Sequence, residues 1–162
     1  MMYTTKFQYR RLEKIIKELE EMAHESSKET GKAAELGDII ESCEFESASR
    51  NERILYIQLN ELYKQLSYQI VDNFPMEVNH VMLGTKVKIQ DIETGEILFF
   101  NIVGAGIIYT ELGEVSYLSP IGKNLLGAKV GDIKEIKIPA GIKKYKILNI
   151  EEYTHKKIRK NI

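Results

Sequence analysis

Between Lys32 and Arg50 the chain carries five carboxylates, Glu35, Asp38, Glu41, Glu44 and Glu46, and no basic side chain. Like charges this close repel one another and focus negative potential on a short stretch. Two readings fit these acids. Asp38, followed three residues later by Glu41, suits a helix start, with Asp38 as N-cap, Glu41 as capping-box partner and the acids meeting the helix dipole. The same oxygens are ligands for a hard cation such as Mg²⁺, which takes one or two carboxylates and keeps several waters. The readings are compatible, because one oxygen of Asp38 can cap while the other faces outward. Elsewhere the chemistry is sparse. His24, His80 and His155 are scattered and show no zinc-like spacing to Cys43, whose thiolate the neighbouring acids disfavour. Gly104-Ala105-Gly106 lacks the strand, turn and helix context of a dinucleotide fingerprint. No Ser/His/Asp or Cys/His arrangement assembles, so the chain is expected to lack a complete active site of its own.

The elements that must carry the acids follow from breaker usage and periodicity. Residues 1–74 contain only Gly31 and Gly37 and no proline, whereas nine of the eleven glycines lie from Gly84 onward. Proline costs about 3 kcal/mol and glycine about 1 in a helix interior, so the first half suits long helices. Leu12, Ile15, Ile16, Leu19, Met22 and Ala23 recur at helical spacing, and a second stripe runs Leu55, Leu59, Leu62, Leu66 and Ile70. With Gly37 between them, the stripes predict an antiparallel coiled-coil hairpin of about 30 residues per arm, on the order of 45 Å long. Asn73-Phe74-Pro75 should end the second helix, and Met76–Leu83 reads as a linker. The second half predicts an antiparallel sheet. Lys86–Ile92 alternates strictly, Glu93–Glu96 turns, and Ile97–Val103 returns. Ile107–Thr110 and Glu114–Leu118 are shorter strand candidates, and Ile133–Ile138 with Ile142–Glu151 forms a last hairpin. Ser119 as N-cap and Pro120 as first residue predict one short helix stopped by Gly127. The expected class is α+β: a finger over 1–75, a linker over 76–83, a sheet domain over 84–154 and a basic tail over 155–162.

Composition sets the wider limits. A chain of 162 residues with 43% hydrophobic and 29% charged side chains builds a core and is neither disordered nor membrane-spanning. One cysteine excludes an internal disulfide framework, and a charged start without an apolar run predicts a cytoplasmic protein. The net charge of −1 excludes a broadly basic nucleic-acid binder. That near-neutrality is a cancellation. Residues 1–75 hold ten basic and fourteen acidic side chains, while residues 76–162 hold thirteen and ten.

Two segments resemble the Gre transcript-cleavage factors of bacterial RNA polymerase, the GreA/GreB family. Gly37-Asp38-Ile39-Ile40-Glu41-Ser42-Cys43-Glu44-Phe45 is similar to the family's GDLxENxEY, and Ser119-Pro120-Ile121-Gly122-Lys123-Asn124-Leu125-Leu126-Gly127-Ala128-Lys129-Val130-Gly131-Asp132 resembles its SPIARALLGKKVGD. The resemblance implies a coiled-coil finger and an FKBP-like C-terminal domain. It implies that the C-terminal domain docks on RNA polymerase through Ser119 and Pro120, while the finger enters the secondary channel. There Asp38 and Glu41, supported by Glu44 and Phe45, would share Mg²⁺ with the polymerase site and promote cleavage at the 3′ end of backtracked RNA. The factor would not be an enzyme itself, and neither a membrane nor a specific DNA sequence is an expected partner. Ile40, Ser42, Phe45, Ala34, Ser49 and Leu118 depart from the family pattern. Those at Ala34, Ser49 and Leu118 motivate an alternative, a Gre-like channel modulator or inhibitor without cleavage-stimulating activity. A peptidyl-prolyl isomerase reading rests on fold alone, and the tryptophan typical of such pockets is missing from this sequence.

Overall fold

Thirty residues with a single interior glycine do form one helix: α1 spans Lys6–Glu35, and α2 spans Cys43–Gln65. The computed structural model describes residues 1–35, 43–71 and 77–154. The bend carrying Asp38 and Glu41, the Asn73-Phe74-Pro75 stop and the basic tail lie outside these residues. The helices are antiparallel. The Ser27 hydroxyl donates to Glu52 at 2.6 Å, and further along α2 the Tyr63 hydroxyl donates to Glu20, an earlier residue of α1. Leu12, Ile16, Ala23 and Ser26 form the buried stripe of α1, and Leu59 is its buried counterpart on α2. Met22, expected in that stripe, is 54% exposed.

Contacts divide the chain differently from glycine and proline usage. Arg10–Ser67 forms one compact unit, and Met1–Tyr9 joins Tyr68–Ile162 in the other. The reason is a strand pair at the helix roots. Tyr3–Thr5 forms β1 and Gln69–Val71 forms β2, paired in parallel, with the Gln69 N–H donating to the Met2 carbonyl at 2.9 Å. The second helix was expected to run past Ile70, but it stops at Gln65. A turn at Leu66 and Ser67, held by the Ser67 hydroxyl on the Lys64 carbonyl, frees Ile70 and Val71 for strand pairing, which suits their branched side chains.

The sheet has the order β5-β4-β3-β7-β6. Its strands are β3 (Thr85–Asp91), β4 (Ile97–Val103), β5 (Glu114–Ser116), β6 (Ile133–Ile138) and β7 (Gly141–Glu152). Three pairings are antiparallel, as the hairpin spacing predicts, but β5 runs parallel to β4, so the sheet is mixed. Ile107–Thr110 is not a strand. The chain there crosses back over a 3₁₀ turn at Thr110–Leu112, with the Asn101 side chain donating to the Leu112 carbonyl and the Tyr109 N–H donating to Glu114. One sheet face buries Val87, Ile89, Ile102, Ile136 and Ile147 against Leu125 of α3 (Pro120–Leu125). Val81, in the expected linker, belongs to this core: its N–H and carbonyl bond Ala128 and Gly127, and its side chain is buried. Gly127 stops α3 with a φ of 76°, as its position predicts.

The start of α1 is fastened to the end of β4. Thr5 and Gln8 form a capping box, in which the Gln8 N–H donates to Thr5 Oγ1 and the Thr5 N–H donates to Gln8 Oε1. Oε1 also accepts from the Gly104 N–H at 2.7 Å, while Nε2 donates to the carbonyls of Gly104 and Ile107. The Ala105 N–H donates to the Tyr3 carbonyl at 2.7 Å. A Cβ on residue 104 would lie 2.4 Å from the Thr4 Cα, so only glycine admits this approach. Gln8 is 2% exposed. Gln8→Ala is expected to strand the buried Gly104 N–H and to lower unfolding stability by about 1–3 kcal/mol, measured by urea denaturation. An unchanged midpoint would remove the fastening role.

The β3–β4 turn is organised by Asp91, which is 1% exposed. Its Oδ1 accepts from the Glu93 and Thr94 N–H groups, and its Oδ2 accepts from Lys143 Nζ at 2.7 Å. The Lys143 hydrogen bond, with the two backbone donors behind it, holds the carboxyl below the ordinary aspartate value against the opposing effect of burial. A depressed carboxyl contributes stability above its unfolded pKa of about 3.9 and loses it as pH falls through the folded value. The urea midpoint of the wild type should therefore fall more steeply below about pH 4 than that of Asp91→Asn. Parallel pH profiles for the two proteins would contradict this.

Candidate functional site

The acids singled out by sequence do not all fall within the described residues. Asp38 and Glu41 lie outside them, as does the capping role assigned to the pair, whereas Glu44 and Phe45 occupy the first turn of α2. Among the described residues no three His, Cys, Asp or Glu side chains gather as a metal site, and no helix is long and apolar enough to cross a membrane.

The second predicted site is placed in full. Ser119 has extended backbone (φ −68°, ψ 158°) and caps α3: its Oγ accepts from the Gly122 N–H at 3.0 Å while its hydroxyl donates to the Ser116 carbonyl at 2.7 Å. Pro120 occupies the first helical position, where its missing N–H costs nothing. Leu118, just before the cap, is exposed. Ser119 and Pro120 line a recess of about 450 Å³ whose other walls include Ile108, Val115, Ile121 and Ile138. The hydroxyl is committed to backbone partners, so the corner is pre-set before any partner arrives. A mostly apolar recess with a fixed polar corner suits an apolar side chain of a binding partner.

Nothing in the serine-proline spelling foretold the recess walls. Ile108 lies in a segment expected as a strand, and Ile138 comes from β6, which packs against α3. The buried Glu114 beside them accepts from the Tyr109 N–H and the Tyr153 hydroxyl, an arrangement that only the parallel β5 creates.

Comparison with known proteins gives these sites a context. The chain is 33% identical over 151 residues to the transcription elongation factor GreA of Chloroherpeton thalassium, covering 92% of this chain and 96% of the relative. It belongs to the GreA/GreB family of transcription elongation factors. GreA of Nautilia profundicola is 36% identical over 145 residues, covering 88% and 90% of the two chains. The family described as "Transcription elongation factor, GreA/GreB, C-term" matches residues 76–152, which contain the whole five-stranded sheet and α3. Among solved structures, GreA factor homolog 1 (Gfh1) of Thermus thermophilus is similar at 26% identity, with a TM-score of 0.43, covering 93% of this chain and 99% of that one.

In this GreA/GreB-family chain the Ser119 cap is expected to contribute about 1 kcal/mol to stability. Ser119→Ala should lower the urea midpoint accordingly, whereas Ser119→Thr, which keeps both the acceptor for the Gly122 N–H and the donor to the Ser116 carbonyl, should recover most of it. Equal losses in both variants would argue against the cap.

Proposed function

We propose that this chain binds RNA polymerase, passes its helical hairpin through the secondary channel and stimulates cleavage of backtracked nascent RNA by the polymerase active centre. The observation that carries the reading is family membership across nearly the whole chain, joined to Asp38 and Glu41 between two antiparallel helices. The pre-set Ser119-Pro120 corner and its apolar recess supply the docking surface. The chain contributes no self-contained active site; its part is to bring carboxylates to a centre that already has the other components.

The donor set fits the implied metal, since two carboxylates with waters are what Mg²⁺ ordinarily takes from protein. Asp38 and Glu41 would hold it, Glu44 and Phe45 would support the tip, and the ion when bound would help generate and orient the hydroxide that attacks the phosphodiester. The carboxylates also concentrate negative charge, which favours a cation over the transcript's phosphates at the tip. Because the finger is a separate protein, the acids are present only while it is bound. Polymerase can thus add nucleotides when they are absent and cut when they are present.

The test is a stalled, backtracked elongation complex of the cognate polymerase. The wild type should accelerate cleavage, and Asp38→Asn with Glu41→Gln should lose at least about tenfold of that acceleration while still competing with the wild type for binding. If the double variant cleaves as well as the wild type, the carboxylate mechanism is wrong. Slower nucleotide addition with unchanged cleavage would instead establish the channel-modulator reading.

A further inference from the structure

The face of the five-stranded sheet turned away from the core is neither neutral nor fully polar. Along β3, Lys86 and Lys88 alternate with the buried Val87 and Ile89 and so stand on that outer face. Directly opposite Lys88 on β4 is Phe99, which is 49% exposed. Both ammonium groups lean over its ring, Lys86 Nζ at 5.0 Å and Lys88 Nζ at 5.8 Å from the centroid. On the other side of β3, Lys146 of β7 extends the row beside Gln90. The acids of this face are already engaged, Glu151 with Lys86 at 3.5 Å and Glu135 with Lys144 at 3.3 Å. Lys88 and Lys146 have no ion-pair partner among the described residues. The face therefore carries a surplus of positive charge around one available aromatic ring.

We propose that this outer face binds single-stranded nucleic acid, with one base stacked on Phe99 and the flanking phosphates held by Lys88 and Lys146. The magnitudes favour exchange. Stacking a base on an aromatic side chain outweighs an exposed cation–π contact, so a base displaces a lysine from the ring. The displaced ammonium then takes a phosphate, so its attraction is redirected and not lost. An acidic protein surface would satisfy the lysines but leave the ring without a partner, and a duplex hides the base faces that the ring needs. The ring is what selects among polyanions. This surface lies wholly in the sheet unit, so its test needs no polymerase.

The full chain is titrated against fluorescein-labelled oligo(U) and oligo(dT) of about twelve nucleotides, and against a duplex of equal length, with anisotropy read at about 50 and about 200 mM salt. Single strands should bind, more weakly at the higher salt, and a preference for oligo(U) or oligo(dT) then identifies RNA or DNA as the source. Phe99→Ala should weaken binding at least about fivefold, and Lys88→Gln with Lys146→Gln should flatten the log–log salt slope by about 1.4. All three positions are at least partly solvent-accessible, and an unchanged urea midpoint checks that each variant is folded. No binding, equal binding by Phe99→Ala, tighter binding of the duplex, or equally tight binding of poly-glutamate would each overturn the proposal.

Discussion

The carboxamide of Gln8 serves the helix and the sheet at once. Its oxygen closes the capping box of α1 and receives the Gly104 N–H, and its nitrogen reaches two further carbonyls of the sheet unit. A buried amide with this many partners is costly to disturb, because each bond lost leaves a desolvated group without compensation. The first turn of α1 is consequently part of the sheet unit. Gly104 makes this possible by having no side chain where Thr4 passes. The two residues depend on each other: the amide needs the close approach, and the approach would leave a buried N–H unsatisfied without the amide.

How much of this could be read in advance depended on the range of the interactions. The strands Ile97–Val103 and Ile133–Ile138 and the Ser119-Pro120 helix start were legible, since alternation, a hairpin turn and a cap are local signals. Strand β5 was legible within Glu114–Leu118, but its parallel direction was not, because that is set by where the chain returns after Gly104 and not by its own three residues. The β1–β2 pair escaped for the same reason. Its partners are some sixty residues apart, and Ile70 continues the spacing of the preceding helical stripe. The Gln8 capping box is spelled out as Thr-Lys-Phe-Gln, a recognisable local pattern.

The functional surfaces show the same contrast. Residue identity pointed to Ser119 and Pro120, and the structure shows that the serine is locked by its own backbone neighbourhood, so its visible role is to shape a corner. The apolar walls beside that corner come from a loop, from β5, from α3 and from β6, and no linear motif lists them together. The Phe99 platform is likewise a property of register, because Lys88 meets the ring only across the β3–β4 pairing. The near-zero net charge thus conceals two opposite local fields, an acidic stretch around residue 40 and a lysine-rich outer sheet face.

The fastening of the N-terminus also dictates an order of events. During synthesis the first residues leave the ribosome long before Gly104 exists, yet the Tyr3 carbonyl and the Gln8 side chain complete their hydrogen bonds only at Gly104, Ala105 and Ile107. Contacts spanning about a hundred residues close late, because chain entropy must be lost before they reward it. The helical segment can organise from local contacts while β1 waits, and the first strand to be made is among the last to be placed. Until then its row of backbone donors and acceptors is an open edge, and the short length of β1, three residues, limits what else can pair with it.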